Sequence, residues 1–401
     1  MTQQTFTANK RIESIDILRG IAMVIMALDH TRDYFHISAN IDDPLNLGTT
    51  TPILFFTRWI THFCAPVFVF LSGTSIYLQS LRKTKNELSA FLIKRGLWLI
   101  AAEFIIIAFA WTFNPFYNVI PFQVIWTIGI SMVILGVAVR LPFKAVLLIG
   151  LLIVLGHNLL DIPEAAPGFN PGFLWNILHF GHFVTYEFAA KHYALIVYPF
   201  LPWTGLMMLG YCIGMFFSNS YSMEQRQNIL VRLGLVLILF FVVVRFTNTY
   251  GDPVPWTTQK NGFYTFLSFI KVEKYPASLL YMCITIGPAL LLLAFMEKIK
   301  NSFTDKLVVF GRTAFFYYIL HIYLIHLLAT ILFFVKGKHT VQFAIDSMQD
   351  LPFMFVIPGE GIGLRLVYLV WIVVIASLYP ACKWYDRYKT NHKEKWWLSY
   401  L

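Results

Sequence analysis

Charged residues are scarce in this chain. Asp, Glu, Lys and Arg make up 13% of its 401 residues, whereas 58% are hydrophobic and the mean hydropathy is +0.64. Soluble globular domains carry about 25% charged residues. The composition therefore excludes a soluble globular domain and predicts a polytopic helical membrane protein.

Cysteine is scarce as well. None of the four cysteines belongs to a C-x-x-C sequence, and each lies inside or beside an apolar segment. This spacing argues against a disulfide framework and against a structural zinc site. One polar segment has histidines and a glutamate in the order H-x-x-H…E…H, which matches no recognised ligand pattern, so we predict no metal at His179, His182, Glu187 and His192.

The chain lacks the signature of a cleavable signal peptide. Its first apolar run contains Asp16 and Arg19, and no small-residue cleavage pattern follows that run. We therefore expect it to remain in the protein as the first membrane span. The net charge of +10 does not predict nucleic-acid binding, because the basic residues cluster in short connections where membrane topology accounts for them.

Ten apolar segments predict an all-α, polytopic integral membrane helical bundle of about ten transmembrane helices, in a single domain over residues 1–401. Twenty of the 31 Lys and Arg residues fall in connections on one side, including Lys10 and Arg11, so both termini are predicted to be cytoplasmic. Three long segments on the other side, 161–193, 248–275 and 336–362, are predicted to cap the bundle. The predicted spans are 15–36, 53–80, 91–112, 123–140, 143–160, 194–217, 229–247, 276–297, 308–335 and 363–383.

The first span places two ionisable side chains on one face. Eleven helical steps of about 100° bring His30 to within about 20° of the direction of Arg19 and about 16 Å along the axis. Ionisable groups at membrane depth are costly and suggest function. The alternatives are that Arg19 snorkels to lipid phosphates or pairs with Asp16.

The end of this span holds a cluster of charges. Asp29 and Asp33 are four residues apart, and Arg32 lies three residues from Asp29 and four from His36. Such spacing allows a carboxylate to orient an imidazole and tune its charge. The alternative is a polar helix end that faces water and has no function.

The second span has Arg58 and His62 four residues apart, followed by Pro66. Because proline lacks an N–H, the carbonyl of His62 loses its helical partner and the helix is predicted to kink there. Ser72, Gly73, Thr74 and Ser75 allow close helix packing. A structural hydrogen bond between helices is the alternative role for His62.

Further polar residues lie inside later spans. Glu103 is predicted either to pair with a basic group such as Arg19 or to lie on a proton path. His321 and His326 are five residues apart, about 140° around the helix, so we expect them to face different surroundings. Trp203 follows two prolines and, together with them, is predicted to mark an interface-level kink and anchor.

Several phrases resemble the transmembrane acyltransferase superfamily. They are SIDILRGIAMVIMALDH and PVFVFLSGTSI in the first 80 residues, and later YPFLPWTGLMMLGYCIG, GRTAFFYYILHIYLIH and WWLSYL. The Arg-x10-His spacing is shared with the acyltransferase-3 family. The wider pattern is similar to the bacterial branch with the heparan-α-glucosaminide N-acetyltransferase-like catalytic domain.

This resemblance implies transfer of an acyl group, usually acetyl, from cytoplasmic acyl-CoA to a sugar hydroxyl or amine on the other side of a bacterial cytoplasmic membrane. Arg19 then matches the family's arginine and His30 its motif histidine. The heparan-acetylating enzyme has asparagine at the position of His30, so the identity of the catalytic histidine stays open. The candidate roles are catalysis by His30, Asp29, His36 or His62, donor binding by Arg19 and Arg58, and acceptor binding by Arg32, Asp33, Trp203 and His321.

Three functional hypotheses follow. The first is this acyltransferase, with acetyl-CoA as donor, a glycan or small-molecule acceptor, membrane lipids around it and no nucleic-acid partner. His30 could deprotonate the acceptor for direct attack or accept the acetyl group itself. The second is a proton-coupled transporter or flippase that uses Arg19, Asp29, His30 and Glu103. The third is a structural membrane scaffold.

Overall fold

A computed structural model describes residues 12–337, 339–348 and 352–399. The predicted basic N-terminus, Lys10 and Arg11, and the end of the WWLSYL phrase lie outside the described residues. The first half of the chain forms α1 (Glu13–Phe35), α2 (Pro52–Thr61), α3 (Cys64–Ser80), α4 (Lys85–Ala102), a π-helix (Glu103–Ile107), α5 (Ala108–Thr112), α6 (Val124–Ala138), α7 (Phe143–Gly156), a 3-10 turn (His157–Leu160), α8 (Asp161–Glu164), α9 (Phe173–Trp175) and a second π-helix (Asn176–Phe180).

The second half is also helical. It forms α10 (Leu201–Ile213), a 3-10 turn (Gly214–Phe217), α11 (Met223–Thr247), α12 (Gly262–Ile270), α13 (Leu279–Met296), α14 (Ser302–Arg312), α15 (Ala314–Gly337), α16 (Val341–Ser347), α17 (Leu364–Asn391) and a 3-10 turn (Trp396–Ser399). The predicted all-α membrane bundle is therefore confirmed.

Six helical segments within the described residues are long and apolar enough to cross a membrane: Pro52–Ser80, Phe143–Glu164, Met223–Thr247, Leu279–Met296, Ala314–Lys336 and Leu364–Asn391. Two shorter apolar helices, Val124–Ala138 and Leu201–Phe217, accompany them. The remaining two predicted spans coincide with α1 and with α4 to α5, which are helical but more polar.

Several predicted spans differ from the structure in their bounds, and in two of them the elements themselves differ. The segment predicted at 194–217 begins as a strand, and its helix starts only at Leu201, between Pro199 and Pro202. The segment predicted at 308–335 is two helices that meet at Thr313, where α14 ends and α15 begins. The first helix, α14, is amphipathic, so its apolar residues alternate with polar ones. A search for continuous apolar residues therefore placed the start of the span at 308, inside α14.

A small sheet lies in the polar connections and was not predicted. Its strands are β1 (Val119–Phe122), β2 (Val184–Ala189) and β3 (His192–Ile196), in the order β1-β3-β2. β3 pairs parallel with β1, with Val119 opposite Tyr193, and antiparallel with β2. The sheet therefore ties two distant connections together at one end of the bundle.

Glycines allow two pairs of helices to touch backbone to backbone. A Cβ at Gly20 of α1 would lie 2.0 Å from the carbonyl oxygen of Leu307 in α14, and one at Gly311 would lie 1.9 Å from that of Asp16. Gly73 of α3, within the predicted small-residue stretch, makes a similar approach to α10. The close packing predicted there is confirmed.

The ends of α1, α14 and α17 lie together at one end of the bundle. Lys300 donates to Glu13 at 3.1 Å, and Arg312 pairs with Asp386 at 3.0 Å and donates to Thr390. These contacts join the start of α1 to the end of α17 at the end that the basic residues mark as cytoplasmic. We call it the basic end, and the end that carries the sheet the sheet end.

Candidate functional site

A cavity of about 330 Å³ enters the bundle from the basic end. Its walls come from α1, α3, α4, α6, the junction of α14 with α15 and the end of α17, and they are mostly apolar. Four basic side chains line it: Arg19, Arg95, Arg312 and Lys389. The cavity thus joins a cationic mouth to an apolar interior.

Arg19 is held at the wall of this cavity. Its guanidinium pairs with Asp16 at 3.1 Å and donates to Ser75 Oγ at 2.9 Å and to the carbonyl of Gly311 at 3.3 Å. The predicted pairing with Asp16 is confirmed, and it coexists with a place in the cavity lining. The arginine therefore joins α1, α3 and α14 where they surround the mouth.

The inner end of the cavity is bounded by Tyr318, whose ring centre lies 6.4 Å from that of His30. Trp111 packs edge-on against the same imidazole at 4.8 Å. The indole N–H of Trp111 and the hydroxyl of Tyr318 are close enough to interact, but both are buried and neither has an acceptor in good hydrogen-bond geometry. Two buried donors, which approach each other but form no hydrogen bond of good geometry within the described residues, thus flank His30 near the end of the cavity.

His30 has a histidine as its partner. Its Nδ1 lies 2.7 Å from Nε2 of His321, and Nδ1 of His321 lies 3.1 Å from the carbonyl oxygen of Tyr317. Because a carbonyl only accepts, Nδ1 of His321 carries a proton, and neutral His321 offers the Nε2 lone pair to the N–H at Nδ1 of His30. This arrangement leaves Nε2 of His30 as an unprotonated base.

Asp29 does not contact His30, which corrects the predicted carboxylate–imidazole pair. Its carboxylate pairs with Arg58, and with Arg32 at 3.0 Å as the i,i+3 spacing predicted. Neighbouring positions on a helix point about 100° apart, so Asp29 faces α2 while His30 faces α15. Arg58 is therefore not at the cationic mouth with Arg19, and its role in donor binding stays a prediction.

His62 lies at the predicted kink, between the end of α2 and the start of α3. The Tyr281 hydroxyl donates to the carbonyl of His62 at 2.7 Å, which satisfies the acceptor that Pro66 leaves free. The imidazole is 4% exposed and packs edge-on against Tyr281. The imidazole of His62 is thus buried near Asp29 and Arg58 and has no hydrogen bond to His30.

His36 and Asp33 lie further along the chain than the ion pairs of Asp29 with Arg32 and Arg58. His36 follows α1, its Nδ1 lies 2.8 Å from Ser38 Oγ, and it lines a separate cavity of about 30 Å³. Asp33 pairs with Arg32 and is 38% exposed at its side chain. Neither residue is brought next to His30.

Three other predicted residues are fully buried. Trp203 is 0% exposed between Tyr198 and Tyr281, so its predicted position as an interface anchor is wrong. His326 bridges the carbonyls of Ala110 and Met354. As the helical spacing predicted, His326 and His321 face different surroundings. His321 was predicted to bind the acceptor, and in the structure its imidazole contacts His30.

Glu103 is not paired with a basic side chain. Its carboxylate accepts the backbone N–H of Trp126 at 2.9 Å and so caps the N-terminus of α6. Arg19 is engaged elsewhere, and the predicted pairing with it is wrong. The second carboxylate oxygen of Glu103 is buried and has no hydrogen-bond partner among the described residues.

The histidine-rich segment does not form the set considered from the sequence. Of that set only His179 joins a cluster, in which its Nδ1 lies 2.8 Å from Glu164 and its Nε2 lies 3.1 Å from His157. Asp161, Glu164 and His179 have possible ligand atoms within 4.8 Å of one another. Both nitrogens of His179 are already hydrogen-bonded, and the expectation of no metal stays a prediction.

Sequence reasoning missed several residues around His30 and around the mouth. Trp111 and Tyr318 are two among many aromatic residues in apolar helices, and no spacing distinguishes them. Arg95, Arg312 and Lys389 were noted only for topology. The only sequence feature that could have marked these three residues as lining a cavity is their position one or two turns inside a helix end.

A family model described as heparan-alpha-glucosaminide N-acetyltransferase, catalytic, matches residues 11–246, which is more than half of the chain. The match confirms the family suggested by the motifs. The matched segment contains Arg19, His30, Arg95 and Trp111, whereas Tyr318 and His321 lie beyond its end. No curated protein matches the chain.

Proposed function

The chain belongs to the heparan-alpha-glucosaminide N-acetyltransferase catalytic family, and on that premise we propose that it transfers an acetyl group from cytoplasmic acetyl-CoA to an amine or hydroxyl of an extracytoplasmic sugar. One observation carries the proposal. A single cavity joins a cationic mouth to the side of a histidine that has a free basic nitrogen.

The cavity lining fits the donor chemically. The phosphates of acetyl-CoA are anionic and suit Arg95, Arg312 and Lys389 at the mouth. The long pantetheine arm suits the apolar walls beyond them. The thioester then reaches the region of Tyr318, beside His30.

His30 is the proposed catalytic residue, and His321 is the proposed positioning residue. In direct transfer, Nε2 of His30 takes the proton of the acceptor while the acceptor attacks the thioester carbonyl and the thiolate of CoA leaves. In two-step transfer, Nε2 attacks the thioester carbonyl and the thiolate of CoA leaves, so that the acetyl group is bound to His30. The acceptor then attacks this acetyl group, its proton passes to the CoA thiolate or to water, and Nε2 of His30 leaves as the free base. Both routes need the tautomer that His321 maintains.

Tyr318 and Trp111 suit the developing negative charge on the thioester oxygen. Their N–H and O–H groups are buried next to His30, and within the described residues neither group makes a hydrogen bond of good geometry. Preorganised donors in a site that excludes water stabilise such an oxyanion strongly. Asp29 and the candidates His36 and His62 have no role in this step.

The test uses the purified full-length protein in liposomes with isotopically labelled acetyl-CoA and a panel of sugars. We expect His30→Ala to lower CoA release by about 10²- to 10⁴-fold, which is the usual contribution of a general base. Lys389→Gln should raise KM for acetyl-CoA with little change in kcat. His192→Ala, at a histidine outside the cavity, is the matched control.

Label that stays on a peptide containing His30 would establish the two-step route. Turnover without such label would favour direct transfer. If the parent protein neither binds nor turns over acetyl-CoA, the acetyltransferase is wrong, and flux of an unmodified solute driven by a proton gradient becomes the next measurement.

We further propose a multi-pass location in a bacterial cytoplasmic membrane, with the basic end cytoplasmic and residues 1–401 acting as one membrane domain. The asymmetry of basic residues supports this orientation. It places the donor cavity on the side where acetyl-CoA is made.

A further inference from the structure

A cavity of about 430 Å³ lies on the small sheet at the sheet end, and it shares no lining residue with the donor cavity. Its floor is one face of the sheet, formed by Ile120 and Phe122 of β1, Ala194 of β3 and Tyr186 of β2. Ile120, Ala194 and Tyr186 are paired across the three strands, so their side chains point to the same side. Phe122 joins them because alternate residues of a strand lie on one face. We call this cavity the sheet groove.

Three phenylalanines form the walls of the sheet groove. The ring centre of Phe104, in the first π-helix, lies 4.7 Å from that of Phe122, and Phe173 of α9 packs edge-on against the same ring at 6.2 Å. Phe188, beside a β-bulge in β2, completes the walls and is 57% exposed. The groove is therefore enclosed by aromatic rings, and part of its wall remains open to the surroundings.

The polar side chains of the lining are engaged with the protein itself. The hydroxyl of Tyr186 donates to the carbonyl of Pro171 at 3.2 Å and accepts from the side chain of Asn176. Glu187 accepts the backbone N–H of Lys191 at 3.0 Å. A polar ligand needs several convergent hydrogen-bond partners, whereas the sheet groove presents mostly aromatic and aliphatic carbon. Its lining therefore fits a hydrocarbon.

The sheet groove is continuous with a surface that faces lipid. Its wall residue Phe104 belongs to the helical segment from α4 to α5, which coincides with a predicted membrane span. The next residue, Ile105, is 61% exposed, and Leu97 and Trp98, about two turns earlier, are 56% and 36% exposed. Exposed apolar side chains on a spanning segment contact the hydrocarbon of the bilayer. Lipid chains therefore reach the open side of the groove.

The volume of the sheet groove limits what else could fill it. One turn of an α-helix, about 10 Å in diameter and 5.4 Å in pitch, already occupies about 420 Å³. A helix from a second copy of the chain could therefore insert little more than one turn into the groove. A flexible hydrocarbon chain has no such limit, because it can follow the floor and the walls.

We propose that the sheet groove binds one hydrocarbon chain of a phospholipid from the membrane leaflet at the sheet end. The bound chain lies on the floor, between Phe104 and Phe188, and covers apolar surface that water would otherwise meet. It thereby ties the sheet to the helical segment from α4 to α5. The site goes beyond the proposed function and does not depend on it, since no step of acetyl transfer involves the groove.

The first experiment identifies the occupant. The full-length protein with the photoprobe p-benzoylphenylalanine in place of Phe188 is reconstituted in phosphatidylcholine liposomes, irradiated and analysed by intact mass spectrometry. We expect an adduct of one phosphatidylcholine. Ala194→Phe, which fills the floor with a larger side chain, should remove this adduct. The same photoprobe in place of Phe116, which is 62% exposed and outside the groove, is the matched control, and its labelling should not change with Ala194→Phe.

Three outcomes of this experiment would overturn the proposal. A covalent dimer in place of a lipid adduct would show that a second copy of the chain covers the groove. An adduct that Ala194→Phe leaves unchanged would show that the probe meets lipid only outside the groove. The absence of any adduct at position 188 would show that no lipid chain reaches it.

The second experiment does not require Ala194→Phe to fold. Thermal unfolding in detergent is followed with and without added phosphatidylcholine. We expect the lipid to raise Tm of the parent and of Phe116→Ser equally, and to raise Tm of Phe188→Ser, which lacks one wall of the groove, by less. Equal rises in all three proteins, or no rise in the parent, would contradict the proposal. Both experiments omit acetyl-CoA, so they are read separately from CoA release, which tests the proposed function.

Discussion

At the scale of single residues, the proposed chemistry depends on a histidine pair whose members are 291 positions apart. His321 has its Nδ1 at a backbone carbonyl, and this fixes which nitrogen of His30 carries a proton. The usual orienting group for a catalytic imidazole is a carboxylate, and here the nearest one is occupied by two arginines.

We predict that His321→Phe lowers kcat for acetyl transfer by about 10- to 100-fold and changes KM for acetyl-CoA little. The phenyl ring leaves Nδ1–H of His30 without an acceptor, so the imidazole loses its fixed tautomer. Steady-state kinetics against acetyl-CoA concentration test this.

His321→Gln, which restores an acceptor at that position, should recover part of the lost rate, and His326→Gln is the comparison on the same helix. A rise in KM equal to the fall in kcat/KM would assign His321 to donor binding instead. Equal loss in the Phe and Gln variants would show that only the packing of the ring matters.

A second residue-scale feature lies outside the membrane-spanning helices. Arg245, at the end of α11, donates to the carbonyls of Val254, Ser268, Phe269 and Lys271 and so organises the connection that follows. The Asp252 side chain is 1% exposed and pairs with Arg245 at 3.4 Å. Burial raises the pKa of Asp252 to about 6, despite the opposing effect of Arg245 and of three hydrogen bonds.

This shift predicts a pH dependence of stability. The folded protein binds the proton of Asp252 more tightly than the unfolded chain, whose carboxyl has a pKa of about 3.9. The associated stabilisation is present in full below about pH 4 and is lost as pH rises through about 6. It amounts to about 3 kcal/mol.

Thermal unfolding between pH 4 and 8 tests this, with Asp252→Asn as the variant that cannot titrate. The Tm of the parent should fall relative to that of the variant up to about pH 6 to 7 and then run parallel to it. A constant difference across this range would show that Asp252 is charged throughout.

The sequence predicted some residue-level contacts because they are local. The pairs of Arg19 with Asp16 and of Arg32 with Asp29 follow from helical spacing alone. The partner of His30 was out of reach, because His321 lies on another helix and its spacing carries no information about α1. Asp29 was suggested as the partner of His30 because the two residues are adjacent in sequence. Adjacent side chains on a helix point about 100° apart, so this pair does not form.

At the scale of secondary-structure elements, the kink at His62 was predictable and its partner was not. Proline removes one backbone donor wherever it stands in a helix, so the free carbonyl follows from Pro66. The donor to this carbonyl is the hydroxyl of Tyr281 in α13, and its position depends on how the helices pack. The sheet was missed because its strands have four to six residues and lie in connections without strict alternation.

The crossing of α1 and α14 links packing to the donor cavity. Gly20 and Gly311 let the two backbones touch, and the carbonyl of Gly311 accepts a hydrogen bond from Arg19. Any side chain at position 311 must push α14 away from α1, since its Cβ would overlap the carbonyl of Asp16. The shift would also move Arg312, the next residue, which lines the mouth.

We predict that Gly311→Ala lowers Tm by several degrees and raises KM for acetyl-CoA, although alanine favours helix by about 1 kcal/mol elsewhere. The control is Gly156→Ala at the end of α7, where an added Cβ meets no atom within 4 Å. An unchanged Tm in the Gly311 variant would mean that α14 moves freely against α1. A lower Tm with unchanged KM would uncouple the crossing from the mouth.

At the scale of the whole molecule, the fold class followed from composition, whereas the functional geometry required the tertiary structure. Apolar runs and loop charges are properties of local sequence, so they predicted a helical membrane bundle with a basic end. The cavity is lined by α1, α3, α4, α6 and α17 and by the junction of α14 with α15, and no local pattern predicts that these segments meet.

Sidedness is the property of the whole molecule on which the proposed reaction depends. The donor cavity opens at the basic end, so the membrane must hold the basic end in the cytoplasm for acetyl-CoA to enter. The four native cysteines are all buried, which gives a low background for thiol labelling. Single cysteines at exposed positions of the two ends can therefore report orientation.

We predict that a membrane-impermeant maleimide labels Lys260→Cys in intact cells, whereas it labels Lys306→Cys only after the membrane is permeabilised. Both positions are exposed, Lys260 in the connection before α12 and Lys306 on α14. The native protein without added cysteine is the control for background. The reverse pattern would put the cationic mouth outside, where acetyl-CoA is absent, and would contradict the proposed direction of transfer even if the purified protein released CoA.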